Sequence, residues 1–293
     1  LLMPQLDDAP DARLTVVNDG SHSRAYQKVI AAWGDRLAYI PLDTNTGIIG
    51  ARLAGISQTT EDYVVFTDDD CRPGPHWVAK VRAAVTAYPN ADIIAGRTEI
   101  VQDRPRWHDS LWHDLPNATP GPVAPFGVLA TAVTANAIFR RWVFDGVTAP
   151  DIRMRHFPDD YYLTQMALKA GASFVLMPGL VTGHVSRGGP IPFLRQQSRY
   201  GRAAARYAIW AQDALMASMM SHPPLGGLRQ GIIDGRAAGR SKGAQVMEGL
   251  SRFMLLLGWH YGVWRDASAA GIDRKEIATW RLRFAETVTA SPD

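Results

Sequence analysis

The sequence predicts an α/β fold in which a mostly parallel sheet is flanked by helices and followed by a helical C-terminal extension. Short apolar, β-branched segments alternate with segments of helical pattern through the first two thirds of the 293 residues. Such alternation is typical of right-handed βαβ units. From Phe193 onward the pattern is helical. With 46% hydrophobic and 20% charged residues, the chain has the composition of a globular protein with a substantial core.

The first part of the chain alternates regularly between the two patterns. Leu14 to Val17 is a β-branched run that ends in the polar turn Asn18 to Ser21, which predicts a buried strand. Tyr63 to Thr67 is a second apolar run, and it leads into three carboxylates. We also predict helices over 25–33, 47–57 and 75–87 and strands over 37–41 and 93–95.

An irregular segment, residues 103–127, is rich in Pro, Trp, His and Asp. A long stretch of this kind inside a compact domain is usually a functional loop or lid. Its aromatic side chains suit stacking on a sugar, and packing within the loop is the alternative. They are Trp107, His108, Trp112 and His113. Beyond it we predict an apolar segment over 135–139, a helix over 161–170, a strand over 174–177, and then helices interrupted at 222–227.

Charge is unevenly distributed along the chain. From Val185 onward the chain has 15 Lys and Arg and 8 Asp and Glu, a net charge of +7. The preceding residues include 16 Lys and Arg and 20 Asp and Glu, a net charge of −4. The basic part predicts an anionic neighbour such as a membrane surface, a phosphate or a lipid carrier, and a solvated helical face is the alternative. The apolar run 253–264 is shorter than the roughly 20 residues that span a bilayer, so we expect a core or interfacial helix.

The cellular compartment is predicted from what the chain lacks. Cys71 is the single cysteine, so an intrachain disulfide is excluded and a reducing compartment is favoured. The first residues have neither a basic region nor an apolar region of the signal-peptide kind. We therefore expect a cytoplasmic protein, peripheral on the inner face of the membrane, in which Cys71 packs structurally.

Three consecutive carboxylates, Asp68 to Asp70, follow the strand that begins at Tyr63. Asp19 also follows a strand, and we expect both strand ends to face one crevice of the same sheet. Residues two apart on an extended segment point the same way, so Asp68 and Asp70 converge while Asp69 faces elsewhere. This arrangement predicts a site for Mn²⁺ or Mg²⁺ carrying phosphates. A solvated acidic turn that caps the following helix is the alternative.

Several segments, in this order along the chain, resemble motifs of the family 2 inverting glycosyltransferases, which have the GT-A fold. The resemblance covers roughly residues 13 to 202. Its segments are V-V-N-D-G-S (16–21), N-T-G-I-I-G-A-R-L-A-G (45–55), V-V-F-T-D-D-D-C-R-P (64–73), T-A-N-A-I-F-R-R (134–141), F-P-D-D-Y-Y-L (157–163) and A-G-A-S-F-V-L-M-P-G-L-V-T-G-H (170–184). The family's first strand is expected to lie before Leu1, with residues 1–6 as the end of the helix that follows it.

The resemblance implies a donor site and a metal site. Asp19 would contact the nucleobase, Arg52 would lie near the nucleotide, and Asp68 would approach the ribose or diphosphate. Asn45, Gly47 and Asp69 complete the predicted nucleotide-binding residues. The metal that bridges the diphosphate would be bound by Asp70 and His184, although a lone His is often structural.

The resemblance also implies a catalytic base and an acceptor site. Asp160 would be the base, with Asp159 beside it in place of the family's usual Glu. Both could instead simply cap the helix that follows, because a first turn favours negative charge. The predicted acceptor-binding residues are Asn136, Arg140, Arg199 and Tyr200. Arg199 and Tyr200 belong to Q-Q-S-R-Y, which resembles the Gln-x-x-Arg-Trp motif of processive members with Tyr in place of Trp.

These implications define an expected function. Residues 1–95 would bind a nucleotide-diphosphate sugar, 96–200 would bind the acceptor and catalyse transfer, and 201–293 would be a helical extension. The acceptor would be a glycan, a lipid-linked glycan or a small molecule, as in cell-envelope polysaccharide synthesis, and no nucleic-acid partner is expected. The alternatives are a non-catalytic nucleotide- or glycan-binding module and a sugar nucleotidyltransferase. The Gly-rich start of the latter and the Gly-x-Gly-x-x-Gly of a dehydrogenase are both absent from the sequence.

Overall fold

The computed structural model describes residues 2–22, 27–34, 37–101, 121–122, 131–148, 159–185, 189–213, 216–217, 220, 222–277 and 279. It divides into two compact units, the first holding the described residues up to 185 and the second those from 189 onward. The first unit combines strands and helices, and the second is helical, so the predicted fold class is confirmed. The division of function at residue 95 stays a prediction.

The described residues of the first unit form the strands and five helices. The strands are β1 (Leu14–Asp19), β2 (Leu37–Leu42), β3 (Tyr63–Phe66), β4 (Cys71–Pro73), β5 (Ile93–Ile100), β6 (Gly121–Pro122), β7 (Ala137–Arg140) and β8 (Phe174–His184). The helices are α1 (Met3–Asp7), α2 (Gln27–Trp33), α3 (Gly47–Ser57), α4 (Trp77–Ala87) and α5 (Asp159–Lys169). Two 3₁₀ turns, Thr134–Asn136 and Arg141–Phe144, flank β7.

The strands form two hydrogen-bonded sheets rather than one. β1 and β2 pair in parallel, and the second sheet has the order β3-β7-β5-β8-β4, with β6 also paired to β8. Among the described strands of the second sheet, only β5 and β8 pair in parallel, so the pairing is mixed rather than mostly parallel. The expectation that Asp19 and Asp68 end strands of one sheet was wrong. Apolar periodicity identifies strands, but it does not determine which strands pair.

The core of the first unit lies between α4 and the larger sheet. Trp77, Val78, Val81 and Ala84 recur at helical spacing and are buried against strand residues such as Ile94. Aromatic rings fill another part of the unit, where Phe66 packs edge-on against Phe139 and Phe144. This packing fixes the end of β3, and with it the position of the residues that follow.

The second unit is built on three long helices: α6 (Pro190–Ala211), α7 (Pro224–Ala237) and α8 (Lys242–Ala269). Glycines allow these helices to approach closely. A Cβ on Gly231 of α7 would lie 2.8 Å from the Cα of Gly249 on α8, and one on Gly258 would collide with the backbone of Ser198 on α6. Among the described residues, no helix combines the length and the apolar character needed to cross a membrane.

Candidate active site

Acidic residues gather at one edge of the larger sheet because of how its strands run. The end of β3 at Phe66 lies opposite the beginning of β7 at Ala137, since these two strands are antiparallel. Residues that follow β3 and residues that precede β7 therefore share this edge. The parallel strands β5 and β8 also end here, with Ile100 opposite His184. The carboxylates Asp68 to Asp70 and the turn that begins at Thr134 are thus brought together.

Asp68, Asp70 and Cys71 form the group of described residues best placed to hold a metal ion. One ligand atom from each lies within 4.8 Å of the others. Asp69 is exposed and lies outside the group, as the two-residue spacing predicts. Two half-buried carboxylates suit a hard divalent cation, whereas a thiol is a softer ligand. The donor set therefore fits the metal that the sequence predicts, with Cys71 as an unpredicted member.

The charges of this edge alter the protonation of its members. Burial raises the pKa of Asp68, the negative charges of Asp160 and Asp70 raise it further, and the nearby Arg52 guanidinium opposes the rise. Burial likewise raises the pKa of the Cys71 thiol to about 11, and Asp68 and Asp70 add to that rise. Burial is the largest cause of both pKa shifts, and the neighbouring negative charges, which a bound cation would offset, add to it.

His184 lies at the end of β8, beside the metal group rather than within it. Its Nε2 is 3.4 Å from Oδ1 of Asp70. The backbone holds this approach in place, because β4 pairs with β8 so that Cys71 lies opposite His184, and the N–H of Val185 donates to the carbonyl of Asp70. His184 is therefore placed to orient Asp70, and its role as a metal ligand stays a prediction.

Arg52 on α3 links the metal group to the predicted catalytic residues. Its Nη2 donates to Oδ1 of Asp68 at 2.9 Å, and its Nη1 forms an ion pair with Oδ2 of Asp159. The guanidinium carbon lies 5.7 Å from the centroid of the Phe66 ring, and the side chain is only 10% exposed. A nearly buried cation between two carboxylates is held by both, so Arg52 connects two segments far apart in sequence.

Asp159 and Asp160 begin helix α5, and Thr134 contacts both of them. The N–H of Thr134 donates to Oδ1 of Asp160 at 2.9 Å, and its hydroxyl contacts the same oxygen. The hydroxyl also lies 3.2 Å from Oδ2 of Asp159. The two carboxylates thus occupy the first turn of α5, where negative charge is favourable, and they also face the edge that carries Asp68.

Asp19 binds the beginning of helix α3. Its Oδ1 accepts hydrogen bonds from the N–H (2.6 Å) and hydroxyl (2.8 Å) of Thr46, its Oδ2 accepts from the N–H of Gly47 (3.0 Å), and its carbonyl accepts from the side chain of Asn45 (3.2 Å). Gly47 adopts a φ of 82°, a conformation that favours glycine. Asp19, Asn45 and Gly47 therefore build one turn, and their contact with a nucleotide stays a prediction.

Asn136 has a structural role in the core, and its predicted acceptor contact stays a prediction. The side chain is fully buried. Its amide nitrogen donates to the carbonyls of Arg97 (2.9 Å) and Leu180 (2.7 Å), and its oxygen accepts from the indole of Trp77 (3.0 Å). Three of the side chain's hydrogen-bonding positions are used inside the core, so Asn136 holds β5, β8 and α4 together.

Arg140 lies at the opposite end of β7 from the acidic edge, and its predicted acceptor contact stays a prediction. Its strand partner is Tyr63, the first residue of β3, and its guanidinium lies over that ring at 5.0 Å. The same group contacts the carbonyls of Pro89 and Ala91. The antiparallel direction of β7 decides this position, and the sequence motif gave no sign of it.

Arg199 and Tyr200 belong to the second unit and lie exposed on α6. Gln196 lies one turn before Tyr200, and its side-chain amide contacts the Tyr200 hydroxyl. Their acceptor role stays a prediction. The aromatic residues of the predicted loop, Trp107, His108, Trp112 and His113, lie outside the described residues.

The family to which this chain belongs follows from the part that carries this geometry. Residues 3–148, which contain the Asp68 to Asp70 cluster, Arg52 and Thr134, match the family model Glycosyl transferase family 2. The chain belongs to glycosyltransferase family 2. The match confirms the resemblance identified in the sequence and the GT-A fold expected from it.

Two relatives of this family 2 chain come from rhizobia. The chain is 27% identical over 208 residues to an N-acetylglucosaminyltransferase of Azorhizobium caulinodans, which covers 66% of this chain and 52% of the relative. It is 27% identical over 219 residues to an N-acetylglucosaminyltransferase of Rhizobium meliloti, covering 70% and 51%. The chain thus spans about half the length of these relatives. A crystal structure of S. aureus TarS 1–349 is similar at 12% identity and a TM-score of 0.49, covering 85% and 82%.

Two residues of the site were missed by reasoning from the sequence. The sequence predicts a packing role for Cys71, although its position directly after the Asp-x-Asp pair is a signal for a metal site. Thr134 opens the T-A-N motif, in which the family resemblance points to Asn136 instead. A hydroxyl in such a motif carries no periodic or charge signal, so only the tertiary contact with α5 identifies it.

Proposed function

We propose that this glycosyltransferase moves a sugar from a nucleotide-diphosphate donor to an acceptor hydroxyl, with inversion at the anomeric carbon and with the help of Mn²⁺ or Mg²⁺. The observation that carries the proposal is the link through Arg52, which joins Asp68 of the metal group to Asp159 beside the predicted base. Because both relatives are N-acetylglucosaminyltransferases, N-acetylglucosamine is the first donor sugar to test.

The metal would be held by Asp68 and Asp70, the hard oxygen ligands of the group. When bound, it would supply positive charge against the diphosphate that leaves. His184 would keep Asp70 oriented toward the ion through their 3.4 Å contact. Arg52 would offset the negative charges of Asp68 and Asp159. This would reduce their repulsion of the donor's diphosphate.

Asp160 would act as the general base of the transfer. Its carboxylate would take the proton of the acceptor hydroxyl as that oxygen attacks the anomeric carbon. The bond from this carbon to the diphosphate oxygen would break on the opposite face, and its electron pair would leave with the diphosphate. One displacement of this kind converts an α-linked donor into a β-linked product.

The test compares Asp160→Asn with the parent protein. We expect metal-dependent donor binding to be retained, because the diphosphate contacts lie elsewhere, and transfer to fall by about 10² to 10⁴. Asp159→Asn is the matched control and should cost less. Proton coupling at the anomeric position reads the product configuration. A retained configuration, or an Asp160→Asn protein that transfers at the parent rate, would refute the mechanism. Donor binding with no turnover in the parent would favour a binding module.

The second unit is proposed to contact an anionic membrane from the cytoplasmic side. Outward-facing Leu225 and Ile233 alternate with Arg229 and Arg236 on α7, and Trp264 of α8 is 58% exposed. Apolar and basic side chains on one helix face suit the boundary between headgroups and acyl chains. This location agrees with a glycan or lipid-linked acceptor of cell-envelope synthesis, to which Arg199 and Tyr200 would bind.

A further inference from the structure

Thr134 holds the predicted base, Asp160, through one of its two carboxylate oxygens. The N–H and the hydroxyl of Thr134 both donate to Oδ1 of Asp160, and no described residue forms a hydrogen bond or an ion pair with its Oδ2. Thr134 is itself buried, at 1% exposed, so its position is fixed by the core. The neighbouring segment is also tied to α5, because the N–H of Ala132 donates to the hydroxyl of Thr164, which in turn donates to the carbonyl of Asp160.

The hydroxyl of Thr134 has two acceptors within reach but one proton. It contacts Oδ1 of Asp160 and lies 3.2 Å from Oδ2 of Asp159. A hydroxyl donates a single hydrogen bond, so the two carboxylates compete for it. Oδ2 of Asp159 already forms an ion pair with Arg52, a stronger partner than a hydroxyl. Arg52 therefore leaves the proton of Thr134 for Asp160.

We propose that Thr134 is the positioning residue of the base, orienting Asp160 so that Oδ2 faces the acceptor, and that Arg52 maintains this orientation by satisfying Asp159. The proposal rests on the function proposed above, in which Asp160 is the base. It assigns no chemistry to Thr134 itself. A carboxylate held at one oxygen cannot rotate freely, and correct orientation of a reacting group contributes substantially to rate.

The first test replaces the hydroxyl with a methyl group in Thr134→Val, which keeps the backbone N–H and the volume. The probe is nucleotide release from UDP-N-acetylglucosamine with Mn²⁺, with water as the acceptor. We expect kcat to fall about 10- to 100-fold, the range for a lost hydrogen bond to a charged group. The KM and the calorimetric affinity for the donor should be unchanged. Thr134→Ser, which retains both donors, should restore kcat.

Thr182→Val is the matched control. Thr182 is also fully buried, and its hydroxyl has no hydrogen-bond partner among the described residues. The same chemical change there should leave kcat at the parent value. Thermal unfolding of each variant checks that a loss of kcat is not a loss of fold. If Thr134→Val keeps the parent kcat while the separate Asp160→Asn protein is inactive, this inference is overturned and the proposed base stands. An active Asp160→Asn protein would overturn both.

A second test does not depend on the folding of a Thr134 variant. Arg52→Met removes the partner of Asp159, so Asp159 should take the hydroxyl proton and kcat should fall. Adding Asp159→Asn removes the competing charge and should recover most of that kcat, although Asp159→Asn by itself brings no gain. If the double variant is no faster than Arg52→Met, the competition for the proton does not exist and the inference fails.

Discussion

At the scale of single residues, the site brings several carboxylates together at one edge of the larger sheet. Four carboxylates lie here: Asp68, Asp70, Asp159 and Asp160. The guanidinium of Arg52 bridges two of them, Asp68 and Asp159. This excess of negative charge is what a divalent cation would neutralise. For Asp68, whose pKa is raised by burial, the charged form therefore reduces the stability of the metal-free protein.

The first prediction concerns Asp70. Asp70→Ala removes one of the two hard ligands, and we expect Mn²⁺-dependent binding of a nucleoside diphosphate to be abolished, because the remaining carboxylate cannot hold the ion by itself. Isothermal calorimetry with and without Mn²⁺ measures this. Asp145→Ala, at an exposed carboxylate outside the group, is the control and should bind like the parent. Unchanged metal-dependent binding by Asp70→Ala would exclude the metal site.

The second prediction uses the protonation of Asp68. Because the pKa of Asp68 is raised above its ordinary value of 3.8, the folded protein binds this proton more tightly than the unfolded chain. The folded protein therefore loses stability as the pH rises above 3.8 and Asp68 ionises. Asp68→Asn should raise the melting temperature of the metal-free protein near pH 7, and the gain should shrink toward about pH 4.

With saturating Mn²⁺ the parent should have the higher melting temperature, since the metal stabilises the parent more than Asp68→Asn. Differential scanning calorimetry at the two pH values, with and without the metal, supplies all four comparisons. A lower melting temperature for metal-free Asp68→Asn at pH 7 would show that the Arg52 ion pair outweighs the burial of the charge.

At the scale of elements, the larger sheet depends on a glycine in β5. The register between β5 and β8 shifts between Ala95 and Arg97, and Gly96 occupies this irregularity. A Cβ on Gly96 would collide with the buried amide of Asn136 and the carbonyl of Leu180. Both groups are hydrogen-bonded to each other, so neither can move without breaking that bond.

The third prediction is that Gly96→Ala destabilises the protein by about 1–3 kcal/mol, the usual cost of overpacking a core. The control is Gly179→Ala in the neighbouring strand β8, where an added Cβ meets nothing within 4 Å. Chemical denaturation followed by far-UV circular dichroism measures both. Equal midpoints for the two variants would show that the Asn136 amide can shift at little cost.

At the scale of the whole molecule, basic and apolar side chains concentrate in the C-terminal part. The balance of +7 from Val185 onward contrasts with −4 before it. Each basic residue near an anionic leaflet contributes about 1 kcal/mol, and this attraction is screened by salt. Electrostatic binding to a membrane should therefore depend strongly on the outward-facing arginines of α7.

The fourth prediction is that the protein sediments with phosphatidylserine-containing vesicles at low salt and is released at high salt. Arg229→Glu combined with Arg236→Glu should abolish most of this binding. Lys80→Glu combined with Lys169→Glu changes the net charge equally on exposed residues of the first unit, and it should have a smaller effect. Equal recovery in the supernatant at all salt concentrations would remove the membrane proposal.

The sequence by itself determined the local features of this protein. Helix α3 has the predicted bounds Gly47–Ser57, and β1, β2 and β3 lie where apolar runs predicted them, because periodicity and turn residues act within a few positions. The convergence of Asp68 and Asp70 was likewise predictable from their spacing. The order of motifs was sufficient to indicate the family.

Only the tertiary structure decided which distant residues meet. The sequence does not encode that β7 runs antiparallel to β3, and this direction takes Arg140 away from the acidic edge while bringing Thr134 to it. It also gives no sign that Asn136 is buried, or that Arg52 lies between Asp68 and Asp159. Strand order and direction follow from the packing of the whole first unit, so contacts between residues far apart in the chain cannot be predicted from local pattern.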